Sequence, residues 1–307
     1  MKKIGFIDLD TKHPRSFVKR INAMDDMQVA AVYDRARVLG QTETDAFCRE
    51  FGAVACNSTA ALAQECDGVM VLSADWATHY PDLEVLLKAG VPCYCDKPLL
   101  ASRNEVDAFI ALANETDTPV FGGSGWRWNS KIQDAAAKYC NTAIRDVLIS
   151  GPNQRFYYGI HVIETVLGLL GPGIDWCRVE KVGPPFTVVS LGHRRGTIVR
   201  CLLEAPFKYA RTIYFSADNQ DCEVEFSIDD IHNGVCDTFA EMVRSGLSPC
   251  SPEDLVESVM VMFALEESVK AGSRVDIATS TAITEIDSSA FMEEYCRNGG
   301  LAPKKPA

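Results

Sequence analysis

Through its first 122 residues the chain alternates short apolar, β-branched runs with segments whose apolar residues recur every three or four positions. That alternation is the signature of βαβ units, in which parallel strands are joined by crossover helices. The expected strands are Lys3–Ile7, Gln28–Tyr33, Gly68–Leu72, Pro92–Cys95 and Pro119–Gly122. Pro14 suits a first helical turn, and Phe17, Val18, Ile21 and Met24 follow at helical spacing. Ser102 and Glu105 form a capping-box pair ahead of Val106, Phe109, Ile110 and Ala113. With right-handed crossovers these elements predict a doubly wound parallel sheet over residues 1–122.

The period changes beyond residue 123. A helix is expected over about 131–139, a strand at Asp146–Ser150, and a short helix over His161–Leu170 that Gly171-Pro172-Gly173 ends. Thr187–Leu191, Thr197–Glu204, Arg211–Ala217 and Glu223–Ser227 alternate apolar and polar residues, which predicts an antiparallel sheet with one buried face. Ser251-Pro252-Glu253-Asp254 opens a later helix, with Val256, Val259, Met260 and Phe263 as a core stripe before Gly272. A second α/β domain is therefore expected over 123–295, and residues 296–307, with Gly299 and Gly300, as a flexible tail.

Composition narrows the functional classes. The 307 residues are 47% hydrophobic and 23% charged, enough apolar material for two soluble cores. A net charge of −12 repels a phosphate backbone, so nucleic acid is not an expected partner. No apolar run approaches the ~20 residues needed to span a bilayer, and no charged-then-apolar leader opens the chain, so a cytoplasmic location is expected. The twelve cysteines show no Cys-x-x-Cys spacing and are expected to be reduced; Cys93 and Cys95 share one face of a buried strand. No metal site is expected: His161 and Glu164 have ligand spacing, but no further ligand cluster accompanies them.

Three places carry candidate chemistry. Lys97, in Asp96-Lys97-Pro98, puts an amine just past a strand, where sheets of this class bind ligands. Asp34 ends the second strand about 20 residues beyond the first turn, where an acid can accept hydrogen bonds from a ribose and disfavour a 2′-phosphate, although an aspartate there is also common in turns. Arg35 beside it would soften that preference. The first turn runs Asp8-Leu9-Asp10-Thr11-Lys12-His13, so that Asp8, Asp10 and His13 stand where a dinucleotide fold carries glycines. Two carboxylates there repel phosphate, while Thr11, Lys12, His13 and Arg15 offer donors.

The order of Asp34, Ser73-Ala-Asp-Trp-Ala-Thr-His79, Asp96-Lys97-Pro98, Arg127-Trp128-Asn129 and Gly159-Ile160-His161-Val-Ile-Glu164 resembles the Gfo/Idh/MocA oxidoreductases over most of the chain. The resemblance implies an N-terminal Rossmann domain, a C-terminal α+β domain whose open, mainly antiparallel sheet mediates dimers or tetramers, and oxidation or reduction of sugars and polyols with NAD or NADP. It places Lys97 beside the reacting hydroxyl and makes His161 the general base, with Tyr157 standing where the family has aspartate. Tyr157 cannot supply a resting charge, although its hydroxyl can bond substrate or pass a proton. His161 could equally be a satisfied core histidine. Asp8, Asp10, Thr11, His13, Asp34, Arg35, Ser73, His79, Asp96 and Lys97 are the expected cofactor set, with NAD favoured over NADP; Ser73 and His79 could equally be helix-entry residues. Arg127, Tyr158 and Glu164 are the expected substrate contacts, although Arg127 could serve a structural ion pair and Glu164 could orient His161. Two rival expectations stay open: a redox-neutral enzyme with tightly held NAD, acting as epimerase, lyase or glycosidase, and a cofactor-free sensor or assembly module.

Overall fold

The apolar runs of the N-terminal half join into one six-stranded sheet in which every neighbouring pair is parallel. A computed structural model of the protein describes residues 1–152, 154–205 and 211–300. Its elements begin β1 (Lys2–Ile7), α1 (His13–Ile21), β2 (Met27–Tyr33), α2 (Gln41–Phe51), β3 (Val54–Ala55), α3 (Thr59–Glu65), β4 (Gly68–Val71), α4 (His79–Lys88), β5 (Cys93–Cys95), α5 (Arg103–Thr116) and β6 (Val120–Gly122). The strand order β3-β2-β1-β4-β5-β6 reverses direction between β1 and β4, the point at which such sheets open a crevice at their C-terminal edge. Ile4, Phe6, Ile7, Val69, Met70 and Val71 have no exposed surface, because helices cover both faces. Ser102 caps α5 as its capping box requires, its Oγ accepting the Glu105 N–H at 3.1 Å.

The chain continues through α6 (Gly125–Trp128), α7 (Ser130–Lys138), β7 (Ile144–Pro152), α8 (Arg155–Leu170), β8 (Ile174–Lys181), β9 (Thr187–His193), β10 (Ile198–Ala205), β11 (Thr212–Ala217), β12 (Gln220–Glu225), α9 (Ile228–Ser245), α10 (Pro252–Ala271), β13 (Val275–Asp276) and α11 (Ser289–Arg297). The second sheet has the order β12-β11-β7-β10-β9-β8-β13, and only its β7·β10 pair is parallel. Contacts cluster into two units: Met1–Gly123 with Val235–Leu255 and the residues from Asp287 on, and Ser124–Gly234 with Val256–Ile286. The division falls inside α9 and α10.

Several elements depart from the sequence expectation. The last alternating strand ends at Glu225, not Ser227, because Ser227 caps α9: its Oγ accepts the Asp230 N–H, and the Asp230 carboxylate accepts the Ser227 N–H. Two register shifts break the alternation of β8 and hide it from period-two reading. α8 starts six residues ahead of His161, at Arg155, because the Gln154 side chain accepts the Tyr157 N–H. α10 buries five successive residues, Val261 to Leu265, so it is surrounded by core instead of presenting one stripe. Residues 296–300 are not a loose tail: the Gly300 N–H closes on the Tyr295 carbonyl at 3.0 Å; residues 301–307 lie outside the described part. All twelve cysteines are free thiols. Among the described residues no helix is long and apolar enough to cross a membrane.

Phe263 has no exposed surface. Phe263→Ala should cost about 3–5 kcal/mol of stability, from lost transfer energy plus a cavity, read as a lowered denaturant midpoint with an unchanged slope.

Candidate functional site

The crevice at the ends of β1, β2 and β4 is built from carboxylates. Asp8 takes the backbone conformation a glycine would supply, with φ 61°, and its side chain folds inward until only 2% is exposed. Its oxygens accept the Arg35 N–H at 2.8 Å, Arg35 Nη1 at 2.6 Å and the Ser73 hydroxyl at 2.6 Å. Arg35 Nη2 reaches on to both oxygens of Asp82, at 2.8 and 2.9 Å. Asp34 ties the first turn to its own loop: Oδ1 accepts from the Leu9 N–H at 3.4 Å and the Ala36 N–H at 3.0 Å, and Oδ2 from the Thr44 hydroxyl. Asp10 accepts the Ala74 N–H at 2.9 Å, and burial, reinforced by neighbouring Asp8, pushes its carboxyl up to about 7. The Thr11 hydroxyl accepts the His13 N–H at 3.1 Å and starts α1.

Lys97 follows β5 and is 5% exposed. Burial pulls its ammonium down to about 7, against the opposing pull of Asp96. Burial raises the Asp96 carboxyl, but the charge and hydrogen bond of His13 outweigh it, and Lys97 adds to them, so the group stays well below the usual carboxylate range. Asp96 Oδ1 also accepts the Lys97 N–H at 2.8 Å and the Tyr94 hydroxyl at 3.2 Å. His79, fully buried, sets Nε2 against the Ser73 carbonyl at 3.0 Å and Nδ1 against the Pro98 carbonyl at 2.7 Å, tying the loops after β4 and β5 together.

The second unit gathers a different set. His161 on α8 stacks on Trp126, ring centroids 5.1 Å apart, and its Nδ1 meets the Ser124 hydroxyl at 2.5 Å. Tyr158 lies 6.0 Å from the same ring, and the buried Tyr157 stands edge-on to Tyr158 at 5.2 Å. Glu164, one turn on, turns to Arg127 Nη1 at 3.5 Å and accepts the Ser258 hydroxyl at 2.8 Å. Arg127 and Glu164 are both buried, and the guanidinium lies over the Trp128 ring at 4.9 Å. Burial raises the Glu164 carboxyl despite Arg127. Ser124 was not visible as a partner of His161 from sequence, because 37 residues separate them; its cap of the Trp126 N–H was the one local signal.

Residues 5–124 match the profile of the GFO_IDH_MocA oxidoreductase family, NAD-binding Rossmann fold. Over those residues the chain is similar to this family's Rossmann domain. Over 89 residues the chain is 34% identical to the UDP-N-acetylglucosamine 3-dehydrogenase of Acidithiobacillus ferrooxidans, covering 29% of this chain and 26% of that one. The Salmonella typhimurium protein YceM is 31% identical over 126 residues, 38% of this chain and 40% of its own. The matches thus span about a quarter and two-fifths of these relatives' lengths. The scyllo-inositol dehydrogenase of Lactobacillus casei, solved with NAD(H) and scyllo-inositol, superposes with a TM-score of 0.79 at 12% identity, over 91% of this chain and 100% of that chain. It shares the fold.

As folded here, the crevice at the ends of β1, β2 and β4 is lined by side chains that pair with one another and is covered by residues 288–300. Arg35 pairs with Asp8 at the first turn, and the Asp34 carboxylate accepts from Leu9, Ala36 and Thr44. α11 sits over the same loops: the Tyr295 hydroxyl donates to the Asp10 carbonyl at 3.1 Å, the Ser288 hydroxyl donates to Asp75 at 2.6 Å, and Phe291 packs on Trp76 at 5.2 Å. A Cβ on Gly300 would come within 3.2 Å of the Asp10 carbonyl and 3.3 Å of Val38.

Two measurements follow from these geometries. Asp10 holds its proton up to about 7 when folded, whereas an unfolded aspartate loses it near 4. Its contribution is therefore full below about pH 4 and fades as pH rises through 7. Asp10→Asn should flatten that decline in denaturation midpoints measured from pH 4 to 8. Arg127→Met strands a buried Glu164 and should cost about 3–5 kcal/mol, more than Glu164→Gln, in the same denaturation assay.

Proposed function

We propose that this protein is an NAD(P)-dependent oxidoreductase acting on a secondary hydroxyl of a sugar, polyol or related compound, or on the corresponding ketone. The observation that carries the reading is Lys97, a lysine buried at the C-terminal edge of a Gfo/Idh/MocA-like Rossmann sheet and titrating near 7. Such an amine can donate a hydrogen bond to the substrate oxygen, stabilise the charge that grows there, or pass it a proton. The activities of two similar proteins, a UDP-N-acetylglucosamine 3-dehydrogenase and a scyllo-inositol dehydrogenase, support a polyhydroxylated substrate.

His161 is assigned to proton exchange at Nε2. Oxidation needs its Nδ1–H donating to Ser124 Oγ, with the lone pair on Nε2; reduction needs the opposite tautomer, with the Ser124 hydroxyl donating to Nδ1. Tyr157 or Tyr158 assists by hydrogen bonding, and the Arg127–Glu164 pair fixes α6 against α8 and so positions Trp126 and His161. NAD is favoured over NADP because Asp34 puts a carboxylate at the end of β2, where it would repel a 2′-phosphate. Leu148 and Tyr214, opposite each other across β7 and β11 and 44% and 49% exposed, offer the second sheet's surface to a homo-oligomer. The inward-turned Asp8 and Arg35 favour one rival, a cofactor-free sugar-binding module.

The test is a screen of inositols, UDP-sugars and free sugars for NAD reduction, then Lys97→Met and His161→Asn on the substrate found. Each variant should lower kcat by about 10²–10⁴ with little change in melting temperature. Full turnover in Lys97→Met would remove the lysine from the mechanism, and no reduction with any substrate would leave the redox-neutral enzyme, if product still forms, or the binding module, if it does not.

A further inference from the structure

We infer that residues 287–300 form an autoinhibitory cap, in which α11 and a dinucleotide compete for the crevice at the ends of β1, β2 and β4. The inference rests on the NAD reading above. Residues 288–300 reach the loops that follow those strands: Tyr295 bonds the Asp10 carbonyl after β1, Ser288 and Phe291 meet Asp75 and Trp76 after β4, and Gly300 lies so near Val38 after β2 that an added Cβ would come within 3.3 Å of it. It presents there what an adenosine would present, a planar ring and hydroxyl groups. Phe291 lies on Trp76 and is itself stacked by Tyr295 at 5.3 Å with 23° between the planes. The Ser288 hydroxyl is held by the Asp75 carboxylate, as a ribose hydroxyl would be, and the Tyr295 hydroxyl by the Asp10 carbonyl.

The attachment suits a displaceable element better than a permanent plug. α11 has nine residues, too few to be stable apart from its packing, and buries only Phe291, Met292 and Tyr295. Its other face is solvated, with the Glu293 and Arg297 side chains 74% and 66% exposed. Segments with so few buried contacts open at a fraction of the cost of global unfolding. Arg37 is half exposed at the same place and pairs with Asp75 Oδ2 at 2.7 Å, so lifting Ser288 leaves Asp75 Oδ1 with only the Ala77 N–H and opens a hydrogen-bonding site on it.

NADH is titrated, by its fluorescence, into three proteins: the full chain, the full-length double variant Ser288→Ala/Tyr295→Phe, and a chain ending at Ile286. A cap closed nine parts in ten raises the apparent Kd about tenfold. The truncated chain should therefore bind at least that much more tightly, and the double variant should shift the same way by a smaller factor. In the full chain, saturating NADH should speed amide hydrogen exchange across 289–297. Equal Kd values in all three proteins, with exchange in α11 unchanged by NADH, would overturn the cap and leave the dinucleotide reading standing. No binding by any of the three, with circular dichroism showing the double variant folded, would overturn both. Should the truncated chain fail to fold, the double variant and the exchange data decide.

Discussion

Asp8 ends β1 with its carboxylate folded back under the sheet edge, and a charge taken out of water there must be matched by partners. Arg35 matches it through backbone and guanidinium, and the same fork continues to Asp82, which in turn holds the Thr59 hydroxyl at 2.6 Å. One guanidinium thereby joins the first turn, the end of β2, the start of α3 and the first turn of α4. Removing Arg35 would leave two buried carboxylates without their counter-charge, a costly state in a region of low dielectric. The arrangement is the structural counterpart of a lost glycine: the backbone keeps the left-handed turn, and the added side chain is accommodated by recruiting a basic residue that would otherwise face a ligand.

That network sets the chemical character of the crevice. Asp10 sits beside Asp8 and is driven toward its neutral form, while Asp96, clasped by His13, stays ionised. Two carboxylates of one sheet edge are thus pushed in opposite directions, by burial reinforced by neighbouring carboxylates in one case and by a charged partner in the other. Lys97 lies beside the ionised one, yet burial still brings its ammonium close to neutrality. A proton can move to or from that amine at ordinary pH, which a surface lysine does not allow.

In the second unit a buried ion pair does the positioning. Arg127 and Glu164 join α6 to α8, and Ser124, which caps α6, is the residue that meets His161. Gly168 on α8 makes the approach possible, since a Cβ there would lie 2.9 Å from the Arg127 carbonyl and 2.8 Å from Ile132. The imidazole is thus held between an indole face and a hydroxyl, an arrangement that fixes its plane and couples its tautomer to one hydrogen bond.

The sequence by itself determined the βαβ order, the parallel first sheet, the capping of α5, and the positions of Asp34, Lys97 and His161, because each rests on period, turn chemistry or a local motif that a few adjacent residues carry. The α9 start was also written locally, in Ser227 and Asp230, but lay behind an alternating run that resembled strand. What only the tertiary structure decided was which charges meet: that Arg35 turns inward to Asp8, that Glu164 chooses Arg127 over His161, and that Asp75 takes a hydroxyl from 213 residues away. The role of 287–300 belongs to the same class. Phe291, Met292 and Tyr295 announce a short apolar face, but the surface that buries it is assembled from three loops distant in the chain, and partner choice across such separations is set by the fold and not by the neighbouring sequence.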